Sequence, residues 1–333
     1  MNNSKMSFIF ISLISIIFFT SCVANNSSVQ HPSSLYKSND YALYKKGKEN
    51  SFSQLARTQL GDEKWVWKIE DANEIEILSD SALVQVPLKD QNIGGLFENG
   101  YQSVPILCYH KFGPDRTSPL TMPPDIFNQQ MKYLKDNGYR VVSPADLLDF
   151  LKYRRQIPRK SVLITIDDGY KSIYDIAWPI LKKYNFTATV FVYTNYVGIS
   201  KKALTWDDLR ELKSYGFSIG SHTVSHADLT KKNPDEKPDD FYHRITEELL
   251  LSKKIIDKEL GQDTIGLSFP YGRQNRNVLK LAEAAGYKIA VTVDRGSNPF
   301  FTNPLALNRD MILKKEMKTF ISRLHTFNNV SLK

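Results

Sequence analysis

The sequence predicts an α/β fold, a distorted barrel of the (β/α)7-8 type preceded by a small α+β module. Three observations predict it. Beyond residue 105, apolar runs alternate with helical patterns. The runs are continuously apolar, as in parallel strands covered on both faces. The alternation spans about 230 residues, enough for a closed or nearly closed barrel. Across all 333 residues, 41% are hydrophobic and 24% charged. That composition excludes a disordered chain, a collagen-like chain and a multi-span membrane protein. The net charge of +8 is spread along solvated helix faces. It suggests an anionic neighbour such as a membrane or wall polymer, and no nucleic-acid partner is expected.

The N-terminus reads as an address. Lys5 precedes an apolar run over 6–19, too short to span a bilayer but suited to a signal-peptide core. Phe19, Thr20, Ser21 and Cys22 resemble a bacterial lipoprotein cleavage site. Residues 1–21 are therefore expected to be removed and Cys22 lipidated, giving an exported protein anchored to a bacterial membrane and facing the periplasm or cell surface. The only other cysteine, Cys108, lies in an apolar run, so no disulfide is expected.

Residues 22–40, rich in Asn, Ser and Gln, read as a flexible tether. Over 41–89 the pattern is β-α-α-β. Tyr41–Tyr44 form a strand. Phe52, Leu55, Ala56 and Leu60 mark a helix face, and Trp65, Ile69 and Ala72 a second one. Residues 83–86 read as a strand closed by Pro87. The run 50–56 with Trp67, Ala72, Asn73 and 84–87 resembles a LysM module, which binds N-acetylglucosamine in wall glycans. A small structural cap without sugar affinity is the other reading. Gly94, Gly95 and Gly100 mark 90–104 as a linker.

In 105–333 the expected strands are 105–108, 162–166, 188–192, 217–219, 265–269 and 289–293. Phe127, Met131 and Leu134 share a helix face, and Ser143 with Pro144 starts a helix over 147–151. Thr205 precedes another, and Gly138, Gly216, Gly261 and Gly286 follow helices. Residues 315–327 read as a last helix. Five strands run into polar groups at their C-terminal ends: His110; Asp167 and Asp168; His222 with His226; Pro270 and Tyr271; and Asp294. This is the face on which α/β barrels place their chemistry.

Two adjacent carboxylates repel, and burying both without a cation is costly. A divalent metal resolves the conflict. His222 and His226, four apart, can share one face of a helical turn and bind the same ion. One carboxylate and two imidazoles leave positions open, which describes a catalytic rather than a structural site.

Residues 105–313 resemble the polysaccharide deacetylases, carbohydrate esterase family 4, also called the NodB homology domain. Residues 165–169, 222–226 and 269–272 carry the resemblance. It implies that Asp167 is the catalytic base and that Asp168, His222 and His226 hold the metal. Zinc is the first expectation, with cobalt, nickel, iron or manganese as alternatives. The Tyr271 N–H is implied to help hold the oxyanion, with Pro270 beside it in a substrate-side or supporting place. The family's arginine two residues before that proline is Ser268 here. Arg295 or Arg309 is left to take its part, and the fourth motif is reduced to Asp294-Arg295-Gly296. The usual late histidine acid would be His325, within the expected last helix. His110, closing the first strand, is the better candidate. That arrangement resembles the circularly permuted poly-N-acetylglucosamine deacetylase subgroup. The implied activity is hydrolysis of N-acetyl groups on an N-acetylglucosamine-containing polysaccharide, peptidoglycan or exopolysaccharide. An O-acetyl esterase and an inactive glycan-binding lipoprotein are the alternatives.

Overall fold

The computed structural model describes residues 33–47, 50–73, 82–313 and 316–330. The expected signal segment, Cys22 and the first part of the expected tether lie outside the described residues, and the described part of that tether contains a short strand, Tyr36–Lys37, rather than being wholly irregular. The N-terminal unit runs β1 (Tyr36–Lys37), β2 (Tyr41–Lys45), α1 (Phe52–Gln59), α2 (Val66–Ala72) and β3 (Leu83–Pro87). The β-α-α-β order expected there is observed. β2 pairs antiparallel with β3. Ala42, Tyr44, Val84 and Val86 on the sheet pack against Leu55, Ala56 and Ile69 of the helices. Ser51 caps α1, its side chain accepting the Gln54 N–H. Asn73 pins the end of α2 to β3: its Oδ1 accepts the Gln85 N–H at 2.8 Å.

The expected linker is instead structured. It contains β4 (Leu96–Phe97) and β5 (Gly100–Val104). The barrel units follow as β6 (Ile106–Tyr109), β7 (Lys111–Phe112), β8 (Thr121–Met122), α3 (Pro124–Asp136), β9 (Arg140–Val141), α4 (Pro144–Leu151), β10 (Ser161–Ile166), α5 (Trp178–Lys183) and β11 (Thr189–Val192). Next come α6 (Trp206–Ser214), β12 (Ser218–Ser221), α7 (Pro238–Leu260), β13 (Gly266–Ser268), α8 (Arg276–Ala284) and β14 (Ile289–Val291). The chain closes with β15 (Asn298–Pro299), β16 (Asp310–Met311), α9 (Met317–Ile321) and β17 (Phe327–Asn329). β5 pairs antiparallel with β4, β15 and β17. The helix expected over 315–327 therefore stops at Ile321, and exposed His325 lies between α9 and β17. β17 finds in β5 a hydrogen-bonding partner far away in sequence, and that pairing overrides the local helical pattern.

The parallel sheet has the order β14-β13-β12-β11-β10-β6-β16, with β9 also paired to β10. Its two edges meet through one segment. Leu307 exchanges hydrogen bonds with β14 and its neighbour, Leu307 N–H to Ala290 O and Thr292 N–H to Leu307 O, both 2.9 Å. A few residues on, β16 pairs with β6. The expected distorted barrel is thus observed.

Strand parity sorts the side chains. On β10, Val162, Ile164 and Ile166 pack outward in the helix-covered core, whereas Leu163 joins Ile106, Phe191, Ile289, Val291 and Leu307 inside the barrel. Phe191 fills that interior so closely that a Cβ on Gly220 would meet its ring at 2.5 Å. The caps read from the sequence are present. Ser143 with Asp146, and Thr205 with Asp208, form capping boxes at α4 and α6.

Candidate active site

Asp167 follows β10 on its inward parity, above Leu163 and Thr165. Its N–H continues the ladder to Tyr109 O at 2.9 Å. The carboxylate is 2% exposed and sits in a built cradle. Arg309, itself buried, forks onto it, Nη1 to Oδ1 and Nη2 to Oδ2, each at 2.8 Å. The Ser268 hydroxyl donates to Oδ2 at 3.0 Å and accepts from Arg309 Nη2 at 3.0 Å. Arg309 is oriented in turn by Nε to Thr292 O at 2.7 Å. Burial alone would push the Asp167 carboxyl up. Arg309 and His222 outweigh burial and hold it well below the ordinary carboxylate range.

This geometry decides between the two arginines left open by the sequence. Arg309, not Arg295, faces Asp167. Arg295 is exposed, so the part left open to it is corrected in favour of Arg309; the Asp294 side chain is exposed as well. Asp294 contributes its backbone carbonyl, which accepts the Arg309 N–H at 2.8 Å. Ser268 leaves the room a guanidinium from the neighbouring segment needs.

Asp168 turns away from its neighbour by adopting a left-handed backbone, φ 76°. Its Oδ1 lies 3.6 Å from His222 Nε2 and 3.6 Å from His226 Nε2. The three offer ligand atoms all within 4.8 Å of one another. His222 is buried, and its Nδ1 lies 2.7 Å from Ser268 O. A carbonyl only accepts, so Nδ1 carries the proton and the Nε2 lone pair faces Asp168. That tautomer is the one a metal ligand requires. Burial pushes Asp168 up to about 6 and His222 down to about 4. Without a cation the pocket resists charge on each, so this donor set fits a divalent ion.

The helical turn expected for 222–226 is not formed. Thr223 (φ 70°) and His226 (φ 63°) are both left-handed, which no right-handed helix contains. The loop is held from α7, where Glu248 accepts the N–H groups of Val224 and Ser225 at 2.9 and 3.0 Å. The sequence reading missed Glu248, which carries no local motif signal.

Pro270 is buried and opens a 3-10 turn. Tyr271 stands in it at φ 61°, its ring edge-on to His226 with centroids 4.8 Å apart. Arg273 ties this turn to the histidine loop through Asp228 at 2.5 Å. His110 follows β6 on the same parity as Cys108 and faces the site. Ligand atoms of Cys108, His110 and Asp167 also cluster within 4.8 Å. Burial pushes the Cys108 thiol far up, so it stays protonated, 3.8 Å from Asp167 Oδ2. Tyr193 and Tyr196 stack with centroids 5.0 Å apart, Tyr193 against His226 and Tyr196 against Tyr170. These rings form an aromatic wall beside the histidines.

Comparison with known proteins agrees with this geometry. The family model described as polysaccharide deacetylase matches residues 154–290. YxkH of Bacillus subtilis (strain 168), a protein assigned to polysaccharide deacetylases, is 36% identical over 206 residues, covering 62% of this chain and 70% of its own. The poly-beta-1,6-N-acetyl-D-glucosamine N-deacetylase of Staphylococcus aureus (strain MRSA252) is 28% identical over 214 residues, covering 61% and 71%. The structure of the Streptococcus pyogenes deacetylase PplD in complex with acetate superposes with a TM-score of 0.61 at 33% identity. That match covers 67% of this chain and 98% of the other. The chain belongs to the polysaccharide deacetylase family.

Proposed function

We propose that this protein is a metal-dependent N-deacetylase acting on an N-acetylglucosamine polysaccharide outside the cytoplasm. One observation carries the reading: a carboxylate held ionised by Arg309 stands beside the separate donor triad Asp168, His222 and His226. A divalent cation on that triad, zinc by its mixed nitrogen and oxygen donors, would polarise the acetyl carbonyl and lower the pKa of water toward about 7. Asp167 takes the proton of the attacking water on Oδ1, whose only side-chain donor among the described residues is Arg309, whereas Oδ2 also accepts from Ser268. The Tyr271 N–H donates to the carbonyl oxygen as charge grows there. His110 gives a proton to the departing sugar nitrogen, leaving acetate and a glucosamine unit. The aromatic wall of Tyr193 and Tyr196 offers flat apolar faces to sugar rings.

Acetate release from chitooligosaccharide, peptidoglycan and poly-N-acetylglucosamine, with acetylxylan as the ester control, tests this. Release from at least one of the first three, abolished by chelator and restored by metal, is expected. His110→Ala should lower turnover by about 100-fold or more, and His325→Ala by less than about twofold. Release from acetylxylan alone would make the protein an esterase. A larger loss in His325→Ala would return the acid to the late histidine.

Export and lipidation at Cys22 belong to the same reading, supported by the apolar run 6–19 and the small residues before the cysteine. Cys22→Ala should move the protein from membranes to the soluble fraction. Continued membrane association would mean that Cys22 is not the anchor.

A further inference from the structure

The N-terminal unit meets the barrel along α2. Lys68 pairs with Asp90 at 2.5 Å, Glu70 pairs with Arg140, and Asp71 accepts the Arg159 N–H at 3.0 Å. This seam encloses a cleft of about 900 Å³, within the size range of ligand sites. Its barrel side is made by β9 and by the residues leading into β10 and β11. Those are the N-terminal ends of the strands, so the cleft opens at the opposite end of the barrel from Asp167.

The cleft's charge is unbalanced. Six cationic and three anionic side chains line it. Arg140 and Arg155 are matched by the cleft's own Glu70 and Asp146. Lys64 is matched by Asp62. Lys135, Arg159 and Lys160 are exposed and have no carboxylate salt-bridge partner among the described residues; the cleft's third anion, Asp71, lies near Arg159 and offsets one of these three charges, which leaves a surplus of two. Arg159 lies over the Phe97 ring and Lys160 over Tyr139, which orients both cations. Of the cleft's two indoles Trp65 is the half-exposed one, and it is ringed by Lys64, Lys68 and Arg155 at 4.9–5.2 Å from its centroid. Its face is therefore committed to cations and is not open to an uncharged sugar ring.

We propose that this cleft binds a strand of anionic polymer, one carrying carboxylate or phosphodiester charges on successive units. A concave slot suits a strand and excludes the flat surface of a bilayer. Held there, the protein keeps its other end free for substrate.

The test uses the full chain in mild detergent with three probes: oligogalacturonate for carboxylate, inorganic polyphosphate for phosphate, and N-acetylchitohexaose as the neutral control. At least one polyanion should bind, more weakly as salt rises. Arg159→Glu with Lys160→Glu should weaken it by about tenfold or more, while acetate release from a short chitooligosaccharide stays unchanged. Should that double variant not fold, as judged by circular dichroism, Lys135→Glu at the exposed end of α3 serves the same comparison. The proposal is overturned if neither polyanion binds, or if charge reversal leaves binding within about twofold of the parent. It is equally overturned if the neutral hexamer depends on these cations, or if phosphatidylglycerol vesicles bind more tightly than both polymers and lose binding on the same reversal.

Discussion

At the scale of single residues, the site turns on how one carboxylate stays charged where water scarcely reaches. Asp167 and Arg309 are nearly inaccessible, and the guanidinium satisfies both carboxylate oxygens. Such a pair is weak evidence for net stability, yet removing one partner strands the other. Arg309→Ala should therefore cost about 3–5 kcal/mol of folding stability, measured by denaturant unfolding at neutral pH. A change under about 1 kcal/mol would show that water replaces the guanidinium without penalty. The second residue-scale consequence concerns protons. Asp168 is pushed up to about 6, chiefly by burial, and only its ionised form binds a cation. Below that pH a proton must leave before metal enters, so metal affinity should fall by about tenfold per pH unit. Metal titration of the chelated protein at pH 5, 6 and 7 checks this, and a flat affinity across that range would contradict it. Asp167, Asp168, His222 and His226 were legible because chemistry of this kind has a local spelling. Arg309 was legible only as one of two candidate arginines and Glu248 not at all, because each reaches its partner from a distant segment and its neighbours in sequence announce nothing.

At the scale of elements, strand parity explains why the functional groups converge. His110, Asp167, Tyr193, His222 and Ser268 each extend the inward-facing register of their strand. The apolar runs exposed those strands, and the Ser143 and Thr205 boxes exposed the starts of α4 and α6. Three features escaped. The segment over 90–104 looked like a linker because its glycines hide a short strand, β5, whose partners are its neighbour β4 and the distant β15 and β17. The last helix is shorter than its sequence pattern suggests for the same reason, since β17 is decided by its pairing with β5. The histidine spacing suggested a helical turn, but Glu248 supplies the backbone N–H groups with partners that a helix would otherwise provide. Four site residues, Asp168, Thr223, His226 and Tyr271, hold left-handed backbones. Each costs roughly 1–2 kcal/mol against its right-handed form. Such clustering marks a place where position is set by the surrounding packing rather than by local preference. Gly272 shows how tight that packing is, since a Cβ there would lie 2.4 Å from Val293.

At the scale of the whole molecule, the barrel separates two regions of different character. Its C-terminal strand ends gather carboxylates, imidazoles and tyrosines around a small polar centre. Its N-terminal strand ends, with the βααβ unit, form a broad cationic cleft. The closing segment that carries Leu307, Arg309 and β16 joins the two sheet edges and also delivers the guanidinium to Asp167. Closing the ring and holding Asp167 ionised are thus one structural event, which under the proposed mechanism ties catalytic readiness to completion of the fold. The account rests on a division of labour between adjacent carboxylates, one for metal and one for protons. The most direct test is metal content and turnover of Asp167→Asn beside Asp168→Asn, each purified in the presence of zinc. The expected result is that Asp167→Asn keeps one equivalent of metal yet releases no acetate, whereas Asp168→Asn loses both. Full occupancy in Asp168→Asn, or metal lost from Asp167→Asn while its fold is intact, would contradict the assignment.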